Sequence, residues 1–315
     1  MSDPRDRGIV AERPDLGGGL ATPSFRLPDG ASSGLPGRPA PMAIGDRSFA
    51  WGERTFVMGV LNVTPDSFSG DGLLAGDDPV TAAVALARAM VDDGADILDV
   101  GGESTRPGHD PVDAATERER VVPVVAALRE ALPPVPISVD TTKAEVAAAA
   151  LDAGANLVND VAAVSPDDAL LRLAAERDVP LILMHDRAEA RYTNLVPEVI
   201  ADLQAAIERA IRAGVAWEAL ILDPGFGFGK TAEHNLALLR ELGALRLLGR
   251  PVLLGTSRKS TLGRLLDLPP DERVEATVAT TVLAVAAGLD LVRVHDVRPN
   301  VRAARTADAV VRGWR

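Results

Sequence analysis

The chain has 315 residues, room for one large domain or two ordinary ones, and it is 47% hydrophobic but only 3% aromatic, so aliphatic side chains must build its core. A formal net charge of −12 argues against non-specific binding to nucleic acid or anionic membranes, and the lack of cysteine excludes disulfides, thiolate metal sites and cysteine nucleophiles. The N-terminus has no apolar signal core, and the longest uncharged stretch, between Glu275 and Asp290, is too short to cross a bilayer, so a soluble cytoplasmic protein is expected.

Residues 1–42 are rich in Gly, Pro and Ser without any period and read as a disordered tail, leaving 43–315 as one domain. The segment AIGDRSFAWGERTFVMGV predicts a short β-hairpin turning at Trp51-Gly52 and leading into a strand. From there apolar runs alternate with Ala/Leu-rich helical stretches. The runs are FVMGVLN (56–62), DILDVGG (96–102), PISVD (136–140), NLVND (156–160), PLILMH (180–185), ALILD (219–223), PVLLGT (251–256) and DLVRVH (290–295). Helices such as 79–94 and 144–154 follow, and Gly94, Gly154, Gly214 and Gly288 stand where C-terminal caps belong. Runs without in/out alternation suit strands buried on both faces, as in a parallel sheet.

Eight such units predict an α/β protein, a (β/α)8 TIM barrel, over a doubly wound open sheet built from the same units. The polar residues favour the barrel. Asn62, Asp99, Asp140, Asn159, His185, Asp223, Arg293 and His295 stand at or near strand C-terminal ends, where barrel enzymes place their sites. Taken singly, Asp140, Asn159 and Asp223 are as well explained as helix caps or acceptors for loop amides. Together they form a set suited to a heterocycle edge with adjacent N–H groups, because a carboxylate meeting two parallel donors is a strong arrangement.

A second cluster is basic. GTSRKS (255–260) follows the seventh strand and Arg293 with His295 ends the eighth, the region where barrels often hold phosphate. Arg258 reads as a surface arginine; Lys259 is set apart because Lys143 and Lys230 are the only other lysines. Two Gly/Pro/Ser-rich loops, 62–72 and 102–111, are long enough to carry function. Within them Thr105 and Arg106 offer phosphate contacts, and Asn62 or Asp66 an oxygen for Mg2+. The four histidines give no zinc-type pair. The stretch DPGFGFGKT (223–231) resembles a phosphate-binding loop, but Pro224 sits where that loop needs its first glycine and has no N–H to offer. The glycines therefore serve another purpose.

Taken in order, MGVLNVTPDSFSGDG, DILDVGGESTRPG, ISVDTTKAEVA, LVNDV, LILMH, ILDPGFGFGKT, LLGTSRKS and VRVHDV resemble dihydropteroate synthase over about residues 43–312. The resemblance implies a TIM barrel, usually a homodimer, that joins p-aminobenzoate to 6-hydroxymethyl-7,8-dihydropterin pyrophosphate with Mg2+, releasing pyrophosphate in folate biosynthesis. It further implies that Asp140, Asn159, Met184, Asp223, Phe228, Gly255 and Lys259 hold the pterin. By the same token Thr105, Arg293 and His295 meet pyrophosphate, Phe68, Pro107 and Ser260 face p-aminobenzoate, and Asn62 meets the metal. Asp140, Lys259 and Arg293 are the expected catalytic residues, and Lys230 is read as part of a helix start. Two segments depart from the family pattern: FSGDG in the first loop, and HDRAEARYTNL after the fifth strand, read as peripheral. The competing readings are a pterin-binding methyltransferase, which should lack the STRPG and SRKS segments, and a paralogue that binds a pterin without turnover.

Overall fold

The computed structural model describes residues 37–64, 78–103, 111–161 and 167–314. Most of the expected tail thus lies outside the described residues; 37–41 carry no regular structure, and the first strand begins at Met42. Strand β1 (Met42–Ile44) pairs antiparallel with β2 (Arg47–Phe49), Ile44 opposite Arg47. The hairpin therefore turns at Gly45-Asp46, not at Trp51-Gly52. A two-residue turn wants a positive φ at its first position, and Gly45 supplies +57°. Gly52, also at positive φ (+75°), lies in the following turn that delivers the chain into the barrel.

Eight parallel strands follow: β3 (Phe56–Asn62), β4 (Ile97–Gly101), β5 (Ile137–Asp140), β6 (Leu157–Asp160), β7 (Leu181–Met184), β8 (Leu220–Asp223), β9 (Leu253–Leu254) and β10 (Leu291–Val294). They pair sequentially from β3 to β8, and β10 pairs with both β3 and β9. A parallel bridge between Leu222 and Val252, with the Leu222 amide donating to the Pro251 carbonyl, joins the two ends. The sheet is a closed barrel. Strand β9 is shorter than the expected run over 251–256: Pro251 has no N–H for the ladder, and the Val252 amide is taken by the Asp290 carboxylate.

The helices are α1 (Pro79–Asp92), α2 (Ala114–Ala131), α3 (Ala144–Asp152), α4 (Ala169–Glu176), α5 (Leu195–Arg212), α6 (Ala232–Arg240), α7 (Ser260–Leu266), α8 (Val274–Ala286) and α9 (Val297–Val311). The four predicted capping glycines have φ between +81° and +114°, a conformation that only glycine adopts without strain.

Two apolar layers divide the strands. Val57, Leu98, Val139, Val158, Leu183, Leu222, Leu254 and Val292 pack outward against the helices. Met58, Ile97, Leu157, Ile182, Ile221, Leu253 and Leu291 point inward and meet Met42, Ile44, Phe49, Trp51 and Phe56. The hairpin thus plugs the N-terminal end of the barrel with an aromatic cluster, Phe49 and Phe56 having ring centroids 4.8 Å apart and Trp51 stacking on Phe49 at 5.6 Å.

Candidate active site

Side chains two positions apart on a strand point the same way. Two residues beyond the inward apolar layer the chemistry changes: Ile97 is followed by Asp99, Leu157 by Asn159, Ile182 by Met184, Ile221 by Asp223, Leu253 by Gly255 and Leu291 by Arg293. Strand β5 contributes Ser138 and Asp140 on the same side, and β3 ends at Asn62. Asp99, Asp140, Asn159, Asp223 and Arg293 therefore form one inward-facing polar layer at the C-terminal mouth, with Met184 and Gly255 at the same level.

Arg293 is its centre. Its Nε donates to Asp99 Oδ2 at 2.5 Å and its Nη2 to Asp140 Oδ2 at 2.6 Å. Asn159 Nδ2 adds a second bond to Asp99 Oδ2 at 3.2 Å. Burial alone would lower the Arg293 guanidinium, but Asp99 and Asp140 more than offset it and hold its pKa above the ordinary value. Burial pushes Asp140 up to about 7 against the pull of Arg293, with Asp99 adding repulsion. The second oxygens of both carboxylates, Asp99 Oδ1 and Asp140 Oδ1, are buried without a hydrogen-bond partner. Such atoms carry a desolvation cost of about 1–3 kcal/mol each unless a ligand meets them.

In the same layer, Asp223 Oδ1 accepts from the Gly225 amide at 2.7 Å, while Oδ2 lies beside Gly255, where an added β-carbon would make an ordinary contact at 3.7 Å. Burial raises the Asp223 pKa. Lys259 donates to the Phe226 carbonyl, and its ammonium stands 4.0 Å from the Phe228 ring centroid. Its stem crosses Gly227, where a β-carbon would come 2.9 Å from Lys259 Cδ. Burial depresses the Lys259 ammonium to about 7. His295 directs its backbone N–H to Ser257 Oγ at 3.1 Å, and its Nδ1 lies 3.0 Å from the same oxygen. Ser260 is exposed at the start of α7, beside Lys259.

Asp140, Asn159, Met184, Asp223, Phe228, Gly255, Lys259, Arg293, His295 and Asn62 thus all lie at the C-terminal ends of strands or in the segments directly after them. Thr105, Pro107 and Phe68, with Asp66 and Arg106, lie outside the described residues. Asp99 belongs at the centre of the site, although the sequence marks it only as a polar strand residue; a lone carboxylate inside the apolar run ILDVG is its signal. Arg258 is not a free surface group, since it forks onto Asp296 at 3.0 and 2.7 Å and ties together the loops after β9 and β10. The segment after β7 is not peripheral either. Tyr192 Oη donates to the Gly229 carbonyl at 2.9 Å, and a β-carbon at Gly229 would collide with the Arg187 backbone.

Comparison with known proteins identifies the family. Residues 58–295 match the pterin binding enzyme family. The dihydropteroate synthase of Clostridium beijerinckii is 49% identical over 272 residues, covering 86% of this chain and 100% of that protein. The crystal structure of the Clostridium difficile dihydropteroate synthase in the presence of pteroic acid superposes with a TM-score of 0.80 at 46% identity, covering 84% of this chain and 99% of that one. The Xanthomonas albilineans enzyme in complex with 7,8-dihydropteroate gives 0.78 at 41% identity, covering 86% and 98%. From its barrel, its inward polar layer and these likenesses together, the chain belongs to the dihydropteroate synthases of the pterin binding enzyme family.

Proposed function

We infer that this chain condenses 6-hydroxymethyl-7,8-dihydropterin pyrophosphate with p-aminobenzoate, giving 7,8-dihydropteroate and pyrophosphate. The observation that carries the reading is the polar layer itself, in which Asp223 and Asn159 share the mouth with an Arg293 clamped by Asp99 and Asp140. Asp223 Oδ2 and Asn159 suit the adjacent N–H groups of a pterin edge, where two parallel donors meet one acceptor group. Met184 and Phe228 line the ring, and Lys259 reaches its oxygen or nitrogen.

Chemistry then needs charge control more than proton transfer. Arg293 and His295 offset the charge that gathers on pyrophosphate as the bond from the pterin methylene to oxygen breaks, the electron pair leaving with oxygen. Asp140 faces the cationic methylene so formed. The lone pair of the arylamine makes the new carbon–nitrogen bond, and the nitrogen gives up its extra proton to solvent. Phe68 and Pro107, with Ser260, are proposed to face the p-aminobenzoate, and Thr105 the pyrophosphate.

We propose Mg2+ as the cofactor. The donor set fits: a β-carbon on Gly101 would lie 3.8 Å from Asn62 Oδ1 and 3.7 Å from Asp140 Oδ2, so both oxygens border the same small space at the mouth. Mg2+ commonly takes one or two protein oxygens plus water and substrate phosphate, which is what Asn62 offers. When bound, the ion neutralises charge on the pyrophosphate. Asn62→Ala should raise the Mg2+ concentration needed for half-maximal activity while pterin affinity stays nearly intact; unchanged magnesium dependence counts against the role. A homodimer and a cytoplasmic location complete the proposal, the first checked by light scattering. Among the described residues no helix is long and apolar enough to cross a membrane.

The deciding experiment is pyrophosphate release with each substrate alone and with both. Release that requires both supports the condensation. A methyltransferase or a silent pterin binder would release none.

A further inference from the structure

Lys230 immediately precedes the Thr231 cap of α6, where a lysine would ordinarily reach into solvent. Its side chain turns inward instead. The ammonium donates to His185 Nδ1 at 2.8 Å, to the Gly225 carbonyl at 3.0 Å and to the Phe228 carbonyl at 3.0 Å, so all three N–H bonds are spent. Because His185 Nδ1 accepts, Nε2 carries the ring proton and donates to Asp202 Oδ2 at 3.0 Å. Asp202 is fixed in turn by Arg187 Nε at 2.7 Å. His185 is buried and held neutral, its pKa pushed down to about 4 by burial and by Lys230.

This chain of contacts ends on the pterin side of the pocket. The Gly225 residue whose carbonyl Lys230 holds is the same one whose amide caps Asp223 Oδ1. The Phe228 residue whose carbonyl it holds presents its ring to Lys259. The loop is pressed backbone to backbone on the end of β7, since a β-carbon at Gly225 would collide with the His185 carbonyl. A compact ammonium fits between those carbonyls where a planar guanidinium would not.

We propose that Lys230, seated on His185, is a positioning residue for the pterin pocket: it sets the β8–α6 loop so that Asp223 and Phe228 face the ring together. This rests on the pterin reading above. The glycines of DPGFGFGKT then have a defined purpose, which is to let this loop wrap an internal ammonium rather than a phosphate.

The test compares wild type, Lys230→Met, Lys230→Gln and Tyr192→Phe. Calorimetry with the dihydropterin pyrophosphate alone gives Kd, and steady-state kinetics give KM for each substrate. Lys230→Met should fold, bind the pterin at least tenfold more weakly, and leave KM for p-aminobenzoate within about twofold. Lys230→Gln, which keeps two N–H donors, should lose less and serves as the judge if the Met variant does not fold. Tyr192→Phe removes another anchor of the same loop, at Gly229, and should leave pterin Kd within twofold. If the folded Lys230 variants bind pterin like wild type, or if both KM values rise alike, the positioning role is overturned. A wild-type protein that binds no pterin overturns the underlying reading as well, and the two failures are told apart by that control.

Discussion

Asp223 has one oxygen committed to the Gly225 amide and the other on the side of Gly255. Asp223→Asn keeps the shape but replaces an ionic acceptor with a neutral amide. The loss of a charge-assisted bond should weaken pterin binding by about 2–4 kcal/mol, read by calorimetry. Binding within about threefold of wild type would instead make Asp223 a loop cap and nothing more. Lys259 and Asp140 give opposite limbs to a pH profile. Asp140, at about 7, is ionised above that pH, whereas Lys259, at about 7, is charged below it. The value of kcat/KM for the pterin substrate should therefore be bell-shaped around neutrality. Lys259→Arg stays charged throughout; it should fold, lose most activity, and retain the rising limb while the falling limb disappears.

At the scale of elements, the hairpin and the mouth lie at opposite ends of the strands, so stability and chemistry can be separated. Phe49 is almost fully buried in the aromatic plug, and Phe49→Ala should cost about 3–5 kcal/mol of unfolding free energy in urea melts. Folded protein at low temperature should still turn over normally, and a parallel loss of kcat would mean that the plug shapes the mouth. Much of this organisation was legible in the sequence. Eight apolar runs, seven of them with polar ends, specified the barrel, and Pro224 alone ruled out a phosphate loop. What could not be read was what depends on register or on a partner from another strand. Gly45-Asp46 and Trp51-Gly52 carry similar turn signals, and only the pairing of Ile44 with Arg47 decides between them. Asp99 sits between apolar neighbours, so its place in the site follows from facing Arg293, almost two hundred positions away. Lys230 turns inward only because His185 waits beneath it.

For the molecule as a whole, burial of a neutral imidazole gives stability a dependence on acid. The His185 pKa is about 4 in the folded protein against 6.5 for the free side chain, so between these values the unfolded chain binds the extra proton. Stability from this group is complete above about 6.5, is lost as pH falls, and is gone below about 4, for a total of roughly 3 kcal/mol. Urea melts from pH 7 to 4.5 should show that decline, and His185→Gln should flatten it in that window. An equal slope in the variant would assign the acid sensitivity to other groups.

The two-residue step from apolar layer to polar layer has a consequence for how this barrel tolerates change in length. Position along each strand decides both depth and facing, so a frame error of one residue does two kinds of damage at once. Deleting a single residue within β8 would rotate Asp223 outward among the helices and swing an aliphatic neighbour into the mouth. Substitutions can retune one pterin contact at a time, but insertions and deletions inside the strands cannot be local. The loops beyond the strand ends escape this count in twos, and where one of them is held in length, as the β8–α6 loop is, its own contacts to Lys230 and His185 do the holding.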